Sequence, residues 1–218
     1  MPPLSRFDIY APIHKGLRAF MTHVMLRAGR LDPFDAAETA EVVREVTELL
    51  DFSLGHAEHE DSVIHAALEA RSPGITLAIA ADHERYDAEI AHLRELLKRI
   101  PGDVQAAHAL YLALSTFVAH NLAHMHEEET RHNEALWATH TDAEIHALHG
   151  RILASLTPEQ SRVGLRWMLP HVSAGERAGM LAHMRAGAPA EVFDGVVDML
   201  RPLLGSRDRL KLDVALAA

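Results

Sequence analysis

The stretch from Phe117 to His132, FVAHNLAHMHEEETRH, carries four histidines and three consecutive glutamates within a helical pattern. Such a concentration of imidazole and carboxylate is either a solvated helix face or a metal site, and the course of the apolar stripe decides between them. Core-facing residues of a packed helix recur at alternating steps of three and four. On this helix that stripe runs Leu110, Leu114, Phe117, Asn121, His124 and Glu128. Three further helices give comparable stripes. One runs Tyr10, His14, Leu17, Met21, Val24 and Ala28; the next runs Val42, Val46, Leu49, Ser53, His56, Glu60, Val63 and Ala67. The third runs Ile79, His83, Tyr86, Ile90, Leu93, Leu97 and Ile100. Every stripe holds at least one histidine, and two of them add a glutamate four residues later. A step of four returns to the same face about 6 Å along the axis, so each His-x-x-x-Glu pair can serve one centre. A buried ionised carboxylate is costly and two are worse, whereas cations remove the penalty and explain the ring nitrogens beside them.

The elements that position these residues are marked by punctuation. Ala11-Pro12 opens a helix that fades at Ala28-Gly29, and Asp35 with Glu38 caps a second that runs to about Ala70. Arg71-Ser72-Pro73-Gly74 breaks it; a third covers Ile75 to Ile100 and stops at Pro101-Gly102. Asp103 caps a fourth that reaches about Thr139. Counted from the connecting turns at about 1.5 Å per residue, the four histidines fall within a helical turn of one another in height. The remainder predicts shorter helices, with capping boxes at Thr157 and Ser173 and with Pro170, Pro189 and Pro202 limiting segment length. The expected fold is all-α: an up-down-up-down four-helix bundle over residues 8–140 and a helical extension over 141–218.

Composition narrows the chemistry. The chain has 218 residues, no cysteine and 17 histidines, so any metal is held by nitrogen and oxygen rather than thiolate. A formal charge of −10 argues against nucleic-acid or anionic-lipid partners. The start shows no signal-peptide core and no apolar run suits a membrane span, so the cytoplasm is the expected location. No acid–base pair or nucleophile triad stands out beyond the metal-type residues.

Residues off the stripes are assigned to solvated faces: His126, Glu127, Glu129 and His132, together with His59, His65, His92, His140, His146, His149, His171 and His183. His120 flanks the seam beside His124, as ligand, supporting partner or neither, and Tyr10 and Tyr86 read as core beside the site. Two Glu-x-x-His motifs, Glu89 with His92 and Glu129 with His132, suggest a ferritin-like centre. They are separated by about 30 Å along the helices, and the first helix offers no glutamate, so that design is rejected.

The opposite order, histidine first and glutamate four later with lone histidines on the other two helices, resembles the hemerythrin-like (HHE cation-binding) family. IHKGLR at 13–18, HAEHEDSVIHAAL at 56–68, DHERYDAEI at 82–90 and HMHEEE at 124–129 carry the resemblance. It implies a four-helix bundle holding two iron ions with an oxo or hydroxo bridge, zinc or manganese being compatible with the same ligand types. It further implies ligand roles for His14, His56, Glu60, His83, His124 and Glu128, the two glutamates bridging. Oxygen-carrying members place a second histidine where this chain has Asp87, and an aspartate where it has Glu129, with Glu128 one step earlier. Four imidazoles instead of five leave a more open site. That points to binding or reaction with O2, peroxide or nitric oxide, or to iron sensing. The alternative is a metal-stabilised regulatory module whose C-terminal helices meet a protein partner or a second copy. Metal loading should fall as pH drops toward the usual histidine pKa, near about 6.5, or below it.

The register makes a direct prediction. Glu60→Ala or Glu128→Ala should strip bound metal far more than Glu127→Ala, as measured by elemental analysis of the purified proteins; equal losses would mean the stripes are misplaced.

Overall fold

The computed structural model describes residues 6–217, apart from the side chain of Glu84. It is all-helical, with no strand among the described residues. The long helices are α1 (Ala11–Ala28), α2 (Ala36–His59), α4 (Leu77–Leu97) and α5 (Val104–Glu127). Short α3 (Ala66–Arg71) and α6 (Asn133–Thr139) prolong α2 and α5 after π-helical turns at Glu60–His65 and Glu128–His132. Asp35 accepts from the amides of Ala37 and Glu38, and Asp103 from those of Gln105 and Ala106, so both helix starts are capped by the expected side chains. Gly74 and Gly102 end their segments with φ of 87° and 75°, a region that penalises any side chain.

Helix α1 packs on α2 and α5, and α4 packs on α2 and α5, so the four enclose a common interior. The three-and-four spacing located that interior well. Every stripe residue named above on α1 and on the helix from Val104 is buried. On the other two, only His56, Ala67 and His83 are half-buried. The interior is divided along its length. Leu17, Phe20, Leu49, Tyr86, Leu110 and Phe117 belong to a large apolar cluster, and Ile9, Tyr10, Val63, Leu68, Leu136 and Ile145 to a smaller one. The histidines and glutamates of the seams lie between the two.

Residues after 141 form α7 (Asp142–Ser155), α8 (Pro158–His171), α9 (Ala174–Gly187), α10 (Ala190–Leu200) and α11 (Ser206–Ala217). Thr141, Thr157 and Ser173 each form a reciprocal capping box. Pro170 lies inside the last turn of α8, where its missing N–H removes one bond to the Arg166 carbonyl just before the helix ends at His171. These helices do not act as one appendage. Helix α7 covers the smaller cluster, while α9 to α11 pack with Leu169 of α8 in a third one around Leu181, Phe193 and Leu200. Helix α8 joins the main interior: Val163 is part of the large cluster, and Trp167 stacks on Phe20 with ring centroids 4.2 Å apart. The close approach depends on Gly16 of α1, where a Cβ would come within 2.9 Å of the Met168 backbone.

Gly16→Ala should therefore lower stability by about 1–3 kcal/mol, since backbone cannot yield as a side chain does. Gly150→Ala, where a Cβ would meet nothing within 4 Å, should be neutral or gain up to about 1 kcal/mol through helix propensity. Urea unfolding of the two variants checks the contrast.

Candidate metal centre

The structure brings the six sequence-predicted residues to one height. His56 Nε2 lies 3.0 Å from Glu60 Oε1, and His14 Nε2 lies 3.5 Å from both Glu60 Oε1 and Glu128 Oε2. His124 Nε2 is 3.4 Å from Glu128 Oε2. Two ring pairs face each other nitrogen to nitrogen: His14 and His56 at 3.3 Å, and His83 and His124 at 3.2 Å. Two donor groups result, His14–His56–Glu60 and Glu60–His83–His124–Glu128, each with ligand atoms close enough to share an ion and with Glu60 in both. Glu60 and Glu128 are 2% and 0% exposed, and no oxygen of either makes a hydrogen bond.

Outer carboxylates fix how the rings face. His14 Nδ1 is 3.1 Å from Glu129 Oε1, and Glu129 is gripped by both terminal nitrogens of Arg18, at 2.5 and 3.0 Å. His83 Nδ1 lies 3.0 and 2.9 Å from the two oxygens of Asp61. An ionised carboxylate only accepts, so in the neutral rings the proton sits on Nδ1 and a lone pair occupies Nε2. The His14 lone pair faces Glu60, Glu128 and His56 Nε2, and that of His83 faces His124 Nε2. With two carboxylates buried and without a hydrogen-bond donor, the layer calls for positive charge.

Protons supply that charge when no cation does. Burial opposes charge on His14, but its hydrogen bond with Glu129 and the facing carboxylates of Glu60 and Glu128 outweigh it and raise its pKa to about 9. His65 and His124 are raised in the same way, against the effect of burial. Glu60 and Glu128 are held below the usual carboxylate range: burial pushes each upward, and the facing imidazoles prevail. Desolvation, with Glu128 and Glu60 nearby, drives the Tyr10 and Tyr86 hydroxyls well above 10, so both stay protonated. Tyr86 lines a cavity of about 10 Å³ beside the donors, with Leu17, Met21, Ser53 and Asn121. That is room for about one water-sized molecule.

Several assignments to solvated faces are overturned. His65, His132 and His140 are buried. Glu129 is half-buried and orients His14. The cause for His65 and His132 is the pair of π turns, which begin at Glu60 and Glu128 themselves. Bonding from i to i+5 rotates the following residues away from the 3.6-residue period, so a stripe drawn at α spacing fails just beyond each glutamate. His65 Nδ1 consequently meets Asp61 Oδ1 at 2.8 Å, and its Nε2 faces Glu128 Oε1 at 3.7 Å. His132 is kept neutral by burial first and by its neighbour His65 second. His120 bonds Glu89 at 2.5 Å instead of joining the donors, and Asp87 is exposed. The expected count of four imidazoles is thus too low for the neighbourhood, since His65 and His132 stand beside it.

The donor set fits transition-metal cations. Two ligands each about 2.1 Å from an ion and at right angles stand about 3 Å apart, and the contacts above run from 3.0 to 3.5 Å. Imidazole and carboxylate suit iron, zinc and manganese. No protein-family model matches this chain, nor does any curated protein or solved structure to which it was compared.

Because Glu129 holds His14 in its donating orientation, Glu129→Ala should weaken metal affinity by about 10–100-fold. Glu127, which among the described residues pairs with Arg131 across the helix surface, should be dispensable. Competition titration against a chromogenic chelator would separate the two variants.

Proposed function

We propose that the chain is a hemerythrin-like four-helix bundle holding two iron ions, which binds or reacts with O2, peroxide or nitric oxide, or senses iron. One observation carries this reading: four imidazoles converge on two ionised carboxylates that are shut away from water without a hydrogen-bond donor, an arrangement that cations or protons stabilise. His14, His56 and Glu60 would hold one ion, and Glu60, His83, His124 and Glu128 the other. Bound there, the ions would supply a redox-active pair with coordination positions open to a small ligand. The protein's own part is to hold the rings by Glu129 and Asp61, to bury the carboxylates away from bulk water, and to leave a small cavity beside Tyr86. Among the described residues, no helix is long and apolar enough to cross a membrane.

A second reading, a regulatory module that uses metal for stability, is favoured by one feature. Leu203, Leu210 and Val214 of the C-terminal helices expose large apolar side chains. In that case chelation would change oligomeric state or partner binding, and oxidants would have no effect.

Protein purified from iron-replete cells should contain about two irons per chain and show a near-ultraviolet band that responds to peroxide or nitric oxide. Iron-free protein indifferent to Fe(II) would refute the proposal. The pH dependence follows from His14. Its pKa of about 9 lies above the ordinary 6.5, so at pH 7.5 the metal-free ring is protonated and an incoming ion must displace that proton. Metal uptake at pH 7.5 should therefore release protons, and affinity should climb with pH until about 9. The window lies above the ordinary histidine value because three glutamates surround the ring. Calorimetry in buffers of different ionisation enthalpy measures the release; a buffer-independent heat would contradict it.

A further inference from the structure

Glu128 directs its two oxygens to different places. Oε2 faces His14 and His124 at 3.5 and 3.4 Å, while Oε1 faces His65 Nε2 at 3.7 Å, too long for a hydrogen bond. His132 completes this second environment: ligand atoms of His65, Glu128 and His132 all lie within 4.8 Å of one another, and all three residues are buried. His132 is 0% exposed, and neither of its ring nitrogens makes a hydrogen bond. Nor do His65 Nε2 and Glu128 Oε1. The next residue, Asn133, is also fully buried with neither amide atom bonded. Buried polar atoms are rarely left so, and a group of them in one place marks something that occupies the space.

We propose that His65, His132 and the outer oxygen of Glu128 form a third cation site, for a divalent first-row transition ion, joined through Glu128 to the two-ion centre. The donor chemistry selects the class of ion. Two imidazoles and one carboxylate suit Fe(II), Co(II) or Zn(II), whereas Mg(II) and Ca(II) prefer oxygen alone. Asp61 prepares the site: it accepts from His65 Nδ1 at 2.8 Å, which leaves the Nε2 lone pair directed at Glu128. The same carboxylate holds His83 of the larger centre, so one exposed side chain orients a ring in each. The π turns are what make the site. Glu60 precedes His65 by five residues and Glu128 precedes His132 by four, and both histidines turn inward on these segments.

The inference rests on the two-ion reading only in that Glu128 is shared, and the test separates them. Metal-stripped full-length protein, His132→Gln and His65→Gln are dialysed to equilibrium against Co(II) without oxygen, with helical content followed by circular dichroism. Wild type should take up three equivalents and each variant two. Two equivalents in wild type and in both variants would overturn the third site while leaving the two-ion centre intact. Three equivalents in all of them would also overturn it. A single equivalent, lost in both variants, would uphold the third site and remove the two-ion centre. Anomalous scattering from cobalt-loaded wild-type crystals covers the case of a variant that does not fold. A peak between His65 and His132 supports the site, and an ordered water alone there overturns it.

Discussion

Glu60 and Glu128 are shut away from solvent without a hydrogen-bond donor, yet the imidazoles around them keep both ionised. Most of the molecule can be understood from the need to compensate these two charges. Each is faced by histidines on other helices, those histidines are steered by further carboxylates, and Arg18 at the periphery neutralises one of the latter. Along the line from Glu60 and Glu128 through His14 and Glu129 to Arg18, charge alternates outward: negative, positive, negative, positive. Removing any of these charges leaves the one inside it uncompensated in a medium where screening is weak.

The apolar residues do more than contribute hydrophobic stability. Because the donors lie between two separate apolar clusters, both ends of the polar layer are sealed, and the helices cannot slide without exposing one cluster or the other. Packing at native density thereby sets the spacing among groups that would otherwise repel. The two π turns belong to the same design. They sit where each glutamate enters the layer and place an additional histidine below it, at the expense of regular α-helical bonding.

Much of this was legible in the sequence for a simple reason: α-helical periodicity is a strong signal over twenty residues, and polar residues that interrupt an apolar stripe are conspicuous. The helix starts at Asp35 and Asp103, the break at Pro101-Gly102, and the convergence of His14, His56, Glu60, His83, His124 and Glu128 all follow from it. What failed was local. A π turn has no compositional signature in Glu60–His65 or Glu128–His132, so the inward rotation of His65 and His132 was invisible. Glu129 was placed on a solvated face because it lies off the stripe, but its side chain reaches back to the first helix. The role of α8 was equally hidden, since its fit depends on a missing side chain at Gly16.

That fit ties together parts of the chain that a linear reading separates. Three successive residues of α1 serve three regions: His14 points to the donors, Lys15 pairs with Glu176 at the start of α9, and Gly16 admits α8. The wall behind the metal-type layer is thus built from the last third of the chain. A truncation after residue 140 would bare the outer flank of the very helix that presents His14, including the Phe20 ring on which Trp167 stacks.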